Sequence, residues 1–371
     1  MKILINASKN YTGGGLQVAI SFIKECVNYP QNLYYVLVGP TVSIEINEYH
    51  FPDNFIFYYI PKKKFHKYAS CLSKYESLVQ PDIVFSIFGP TYWRPRAKHI
   101  MGYAMGHYIY PDSPFWNISP IWIRLIWKIK EIIHIYFFSR DADVFIVETE
   151  DACIRLKNKI KKPCYVVSNT YSKFFLDFTT NDNNIKQLIL PIRKDKEYRL
   201  LSICGSYSHK NLSIIPKVID CLKSRGYFSF RFVLTIPLYD YEKLFPEKYR
   251  FDIINIGPIS QSLAPQLYSE CDVSFVPSLL ECFTANFPES MIMKKPILAS
   301  DLGFSHTICK DAALYFDPTD PEIIANTIIQ LYNNNNLSSQ LIKNGIRRVS
   351  QFNLPEERAL SYLEICSIYK K

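Results

Sequence analysis

Val273–Lys295 reads VSFVPSLLECFTANFPESMIMKK. Its first residues are the β-branched, aromatic and small side chains of a buried strand, and its last eight, opening on Pro288, are helix formers. Proline is tolerated in the first turn of a helix, so the spacing predicts a helix that begins near Asn286. Strand, loop and helix together make one βα unit. The same alternation runs outward in both directions. KILINA, LQVAISFIKECVNY, YYVLVGP, NFIFYYIP, DIVFSIFG and HIMGYAM lead to VFIVET at 144–149, a helix over 150–160 and CYVVSN at 164–169. Short apolar strands separated by helical patterns predict parallel sheets covered by helices.

Residues 1–170 are therefore expected to form a first Rossmann-like domain. Between Tyr171 and Arg199 the pattern breaks into TTNDNNIKQ and RKDKEY, which predicts an interdomain linker over 171–198. The alternation resumes with RLLSICG and continues through FRFVLTIP, FDIINIGP, VSFVPS, ILAS and ALYFDP, giving a second Rossmann-like domain over 199–350. Three helices are expected at the end, near 320–333, 337–350 and 355–369, with 351–371 crossing back to the N-terminal domain. Ligands of such sheets bind outside the carboxyl ends of the strands, so function is sought in the loops that follow them, on either side of a central cleft.

The chain has 371 residues, 48% hydrophobic and 21% charged, the composition of a globular protein of about two domains. Lys and Arg number 43 against 34 Asp and Glu, a formal charge of +9 that favours phosphate-bearing ligands or an anionic membrane surface. Ten scattered cysteines without a C-x-x-C pair argue against zinc ribbons and disulfide scaffolds and fit a reducing cytoplasm. The opening apolar run meets Thr12-Gly13-Gly14-Gly15 at once, too short for a signal-peptide core, and folding is expected from the first residue.

Glu281 falls in the loop after VSFVPS and Glu289 at the helix entrance. Free N–H groups at such an entrance suit phosphate, and a carboxylate beside them can accept from sugar hydroxyls. Asn286-Phe287-Pro288-Glu289 also has the spacing of an N-x-x-E capping box, with Glu281 then a solvated loop carboxylate. The local sequence leaves both readings open.

SECDVSFVPSLLECFTANFPESMIMKKPILASD, with its paired glutamates, resembles the core motif of family-four glycosyltransferases of the GT-B fold. The resemblance extends through INIGPISQSLAPQLYSECD, DAALYFDPTDPEIIANTI and LSICGSYSHKNL, nearly all of 199–350, and more weakly through the Gly13–Gly15 loop, His107, VFIVETEDACIRL and VVSNTYSKFF. It implies an α/β, GT-B architecture of two Rossmann-like βαβ domains and a retaining, metal-independent glycosyltransferase of the hexosyltransferase type. It further implies that Glu281 contacts the donor sugar, Glu289 the ribose and Lys210 the diphosphate, with Gly205 in the phosphate loop. Backbone around Thr284, Ala285 and Asn286 would lie near the sugar and diphosphate, and Ile259 against the base. The sequence departs from the family pattern where Cys282 and Thr284 replace glycines, where Ser206 replaces an arginine, and where Ser305-His306 stands in place of a glutamate.

Gly14 and Gly15 leave room for a phosphate or acceptor to approach the backbone, although the loop is not a dinucleotide fingerprint and no nicotinamide cofactor is expected. His107, after HIMGYAM, is a candidate donor to a sugar hydroxyl, and Asp112 a weaker one for placing the acceptor. The remaining histidines show no metal-ligand spacing, and Asp141-Ala142-Asp143, although a D-x-D, sits at a helix-to-strand turn, so no metal or other cofactor is expected. Pro114–Arg140, with Trp116, Trp122, Trp127, Arg124, Lys128 and Lys130, and the cluster Lys62-Lys63-Lys64 with Lys67, suit a lipid headgroup interface, or else a helix packed on the first sheet with a charged outer face. Its apolar stretches are too short to span a bilayer. Nothing resembles a nucleic-acid reader.

The sequence thus points to a glycosyltransferase that moves a sugar from a UDP- or GDP-linked donor to a glycan or polyprenyl-linked acceptor. Its expected place is microbial surface polysaccharide assembly, in the cytoplasm or on the inner face of the membrane. A nucleotide-sugar 2-epimerase and a non-catalytic GT-B partner subunit are the alternatives.

Overall fold

A computed structural model describes residues 1–62, 65–180 and 188–370. The N-terminal part runs β1 Lys2–Ala7, α1 Gly13–Glu25, β2 Leu33–Val38, α2 Pro40–Ile46, β3 Phe55–Tyr59, α3 Phe65–Val79, β4 Ile83–Ser86 and β5 His99–Gly102. It continues with α4 Gly106–Ile109, α5 Pro114–Ile118, α6 Ile121–Asp141, β6 Val144–Val147, α7 Glu150–Lys159 and β7 Cys164–Val166. All pairs in its seven-stranded sheet are parallel, in the order β3-β2-β1-β4-β5-β6-β7. The rest of the chain runs α8 Lys173–Thr180, β8 Tyr198–Ser202, α9 Ile215–Ser224, β9 Phe230–Leu234, α10 Leu238–Leu244, β10 Ile253–Asn255, α11 Ala264–Ser269 and β11 Val273–Val276. After these come α12 Asn286–Ile292, β12 Ile297–Ser300, α13 Gly303–Cys309, β13 Leu314–Phe316, α14 Pro321–Tyr332, α15 Asn335–Val349 and α16 Pro355–Tyr369. Its six-stranded sheet is again wholly parallel, β10-β9-β8-β11-β12-β13.

The strands are continuous apolar runs because both faces of a parallel sheet are covered by helices; β11 and β12 are buried at every position. The chain divides into two compact units, one of residues 1–112, 118–169 and 353–371, the other of 113–117 and 170–352. Helix α16 thus belongs to the first unit. Its Tyr362 ring packs 5.4 Å from Phe22 of α1 and 5.3 Å from Phe85 of β4, and Arg358 donates to Ser21 at 2.8 Å and to the Asn169 carbonyl group of its side chain.

The segment expected as a linker, 171–198, contains α8, and Phe175 on it is fully buried with its ring 5.8 Å from Tyr268. The apolar spacing of KFFLDF is enough to seat one helix on the second unit. Residues 181–187 of that stretch, and Lys63 and Lys64 of the basic cluster, lie outside the described residues. No helix among the described residues is long and apolar enough to cross a membrane.

Each sheet has one point where the strand order reverses, between β1 and β4 in the first and between β8 and β11 in the second. Loops leaving two such strands diverge to opposite faces and leave a crevice at their carboxyl ends. The loops after β1 and β4, and those after β8 and β11, are therefore the ones to inspect.

Replacing Tyr362 by Ala removes the aromatic wedge between α1 and β4, and a loss of about 3–5 kcal/mol is expected for a large aromatic truncation. Urea denaturation of the variant, followed by circular dichroism, checks this.

Candidate active site

In the second unit the reversal between β8 and β11 places Gly205–Lys210 beside the Glu281 loop. Lys210 ion-pairs through Nζ with Glu281 Oε1, two side chains 71 positions apart. Both are largely shielded from water. Burial alone would lower the Lys210 pKa, but Glu281 first, then Cys204 and Tyr207, outweigh it and hold the ammonium above its ordinary value. The pair is anchored from several sides. Leu279 N–H donates to His209 C=O at 2.7 Å, and the Ser113 hydroxyl donates to Leu279 C=O at 2.6 Å. Burial lowers the His209 pKa, the neighbouring Glu281 raising it and Lys210 lowering it in turn. Gly205 sits under the Tyr207 ring; a Cβ there would come within 2.9 Å of a ring carbon.

Helix α12 begins at Asn286, as the position of Pro288 predicts, with Ala285 as its N-cap. The capping box does not form. Asn286 Nδ2 instead donates to Ile203 C=O at 2.8 Å, tying the helix entrance to the end of β8. Glu289 consequently turns inward. It is buried, with the Tyr268 hydroxyl 3.2 Å from its Oε2, and burial raises its pKa to about 7, the Tyr268 hydrogen bond opposing that shift. Thr284, at one of the positions where the family carries glycine, is buried, and so is Cys282. Ile259 is half-buried in the loop that follows β10. Lys210, Glu281, Glu289, Thr284, Ala285, Asn286, Ile259 and Gly205 all belong to this one unit.

Of the departures noted in the sequence, Ser206 donates its hydroxyl to Asp240, and His306 Nε2 lies 2.5 Å from Asp301 Oδ1.

In the first unit, Gly13 takes φ +62°, a conformation glycine adopts without strain, and opens α1. A Cβ on Gly14 would meet open space and one on Gly15 would lie 3.5 Å from the Phe88 ring, while the Gly15 C=O accepts from Asn10 Nδ2 at 3.0 Å. His107 lies on α4 with its ring parallel to Trp127 at 3.8 Å. Tyr108 next to it contacts His134 Nδ1 at 2.7 Å, and Tyr92 contacts Nε2 of the same ring at 2.9 Å. One side chain that sequence reasoning missed joins this group. Lys9, just past β1, places its ammonium 4.3 Å from the Tyr68 ring centre and 4.1 Å from that of Tyr92, and burial lowers its pKa to about 8. Its only signal in the sequence was a position immediately after a strand.

Asp112 forms a bidentate pair with Arg155 at 2.6 and 2.9 Å, which holds its carboxyl below the usual range. Asp141 pairs with Arg140, and Asp143 with Arg94 and the His99 N–H, so the D-x-D aspartates fasten β5 and β6. Among the described residues no group of three acidic, histidine or cysteine side chains is placed to hold a metal ion.

Residues 192–348 match the family model of glycosyl transferases group 1. None of the curated proteins compared matches the chain. Among solved structures the chain is similar to HepE of Anabaena in complex with UDP-glucose, with a TM-score of 0.71 at 14% identity over 99% of this chain and 100% of that one. It is similar to the sucrose-phosphate synthase of Thermosynechococcus elongatus, at 0.70 and 16% over 98% of each. WaaG, a glycosyltransferase involved in lipopolysaccharide biosynthesis, matches at 0.72 and 12% over 98% of this chain and 99% of that one. Two Rossmann-like units in this order define the GT-B fold. The chain has that fold, and its residues 192–348 match glycosyl transferases group 1.

The Glu289 shift makes a pH prediction. A carboxyl whose pKa is higher folded than unfolded costs stability as pH rises from the unfolded value toward about 7, and the cost is then constant above it. Glu289→Gln should therefore match the wild type near pH 4 and exceed it in stability by up to about 3 kcal/mol near pH 8. Urea midpoints across that range decide it.

Proposed function

We propose that the chain transfers a sugar from a UDP-linked donor to a glycan or lipid-linked saccharide, with retention of anomeric configuration. Its expected setting is surface polysaccharide assembly on the cytoplasmic face of the membrane. The observation that carries this reading is the grouping of Lys210, Glu281 and Glu289 around the β8–β11 reversal. The UDP-glucose complex of the similar HepE supports the choice of nucleotide.

In this reading the bond between the sugar's anomeric carbon and the β-phosphate oxygen breaks, a bond from an acceptor hydroxyl oxygen forms at the same carbon, and the hydroxyl proton passes to the leaving diphosphate oxygen. Negative charge develops on the leaving diphosphate, where Lys210 offsets it, and positive charge on the sugar ring, where Glu281 and the sugar-hydroxyl contacts stabilise it. Glu289 accepts from the ribose hydroxyls. Its raised pKa means that nucleotide binding below pH 7 releases a proton as the carboxylate forms. His107 donates to a sugar hydroxyl. No protein nucleophile and no metal are invoked.

Two measurements test the assignment. Calorimetric titration with UDP and with GDP, without added metal, should give binding of UDP that Glu289→Ala abolishes; binding of neither nucleotide would refute the donor site. Glu281→Gln should lower kcat by about 10²-fold or more, the scale of losing one group aimed at developing charge, while UDP affinity changes little. Equal losses in both would remove Glu281 from the sugar.

A further inference from the structure

Among the described residues, helix α6 carries more of the exposed large apolar side chains than any other helix or strand. Ile121, Trp122, Leu125, Ile129, Ile132 and Tyr136 all face solvent, Trp122 and Ile129 at 59% exposure and Ile132 at 65%. At about 100° per residue these positions fall within an arc of roughly 100°, which the exposed Ile126 and Ile133 widen to about 140°, and the stripe runs about 23 Å along the axis. Lys128 lies just beyond one edge of the arc, ion-paired with Glu131 at 3.2 Å, and Lys130 lies about 40° beyond the other, its ammonium 4.9 Å from the Trp127 ring centre. Both are exposed.

The opposite side of the helix is fully used. Trp127 stacks on His107, His134 bridges the hydroxyls of Tyr92 and Tyr108, and Phe138 is buried with its ring 4.8 Å from Tyr103. Glu131, the single acid between Ile121 and Arg140, is bound by Lys159 and, at 3.2 Å, by Lys128. The outward stripe therefore does not await a place in this unit's core, and its charge balance is positive. Isolated exposed apolar residues are ordinary on a soluble protein, but a contiguous stripe of this length marks an interaction surface.

We infer that α6 lies in the plane of an anionic lipid surface, its apolar stripe among the acyl chains and Lys128 and Lys130 at the headgroups. A helix in this position needs an apolar face flanked by cations long enough to reach the phosphates; Lys128 and Lys130 flank the stripe and would exchange Glu131 and the Trp127 ring for them. A second copy of the chain fits less well, because face-to-face contact would bring the lysines flanking one stripe, Lys128 and Lys130, near those flanking the other. The inference deepens the reading of a lipid-linked acceptor, since His107 rests directly on the docked helix, but it stands on the surface of α6 and is tested apart from that reading.

The test is co-sedimentation of the full chain with vesicles of phosphatidylcholine alone and of phosphatidylcholine with phosphatidylglycerol. Ile129→Glu with Ile132→Glu, and Lys128→Glu with Lys130→Glu, are compared with the wild type. The isoleucines are exposed and the lysines give up only the Glu131 ion pair and the Trp127 ring contact, so folding should survive, and unchanged circular dichroism confirms it for each preparation. The wild type should bind the anionic vesicles and bind phosphatidylcholine alone far less. The isoleucine pair should abolish binding, and the lysine pair should weaken it on the order of thirtyfold or more, at about a few-fold to tenfold per basic residue near such a surface. Absence of wild-type binding, or full binding by the isoleucine pair, overturns the inference. So does concentration-dependent dimerisation of the lipid-free wild type that the isoleucine pair abolishes, which would assign the stripe to a second copy. Titration of the same variants with UDP keeps the two readings separate: intact UDP binding with no vesicle binding sinks only the docking face, and vesicle binding without UDP binding sinks only the donor site.

Discussion

The ion pair between Lys210 and Glu281 depends on a single topological fact, the reversal of strand order between β8 and β11. Parallel strands with right-handed crossovers send consecutive helices to the same face of the sheet, and the direction changes only where the chain returns to the middle. At that point the loops after two central strands stand side by side. A lysine from one and a glutamate from the other then meet in a place with little water, where each stabilises the charge of the other. A donor diphosphate would offer Lys210 a second anionic partner and leave Glu281 to the sugar. On the proposed function, the nucleotide-free protein thus holds its lysine charged and oriented before the donor arrives.

The rest of the second unit serves to hold these loops. Asn286 reaches across to Ile203, Leu279 is fastened through both of its backbone polar groups, and Glu289 is buried against Tyr268. Loops that would otherwise wander are fixed by hydrogen bonds from buried groups, the condition under which electrostatic stabilisation works without reorganisation. The cost falls on Glu289, whose ionisation opposes folding increasingly as pH rises from the ordinary carboxyl value toward about 7.

Much of this was legible in the sequence because parallel strands declare themselves. Runs such as VFIV and ILAS carry apolar or small side chains on both faces, and Pro288 placed the start of α12 within a residue. What was not legible depended mostly on contacts far apart in the chain. The spacing of Asn286 and Glu289 is that of a capping box, yet the Asn286 amide goes to a carbonyl 83 positions away, a partner no local rule could supply. The polar stretch after Tyr171 hid α8 because KFFLDF is too short to show a helical period clearly. Lys9 gave no local sign of the two tyrosine rings that enclose it. Helix α6 is apolar on both sides, so periodicity alone could not tell its inner face, with Trp127 and Phe138, from its outer one; the charged outer face expected of a packed helix is in fact an apolar stripe edged by lysines.

The central claim is that Lys210 exchanges Glu281 for the diphosphate of the donor. The most direct measurement compares the affinities of UDP and UMP for the wild type and for Lys210→Met, by calorimetry under identical salt. The account predicts that the wild type prefers UDP by about tenfold or more, the scale of a charge-assisted contact to the second phosphate, and that Lys210→Met loses most of that preference while still binding UMP. A preference for UDP that survives unchanged in Lys210→Met would contradict it.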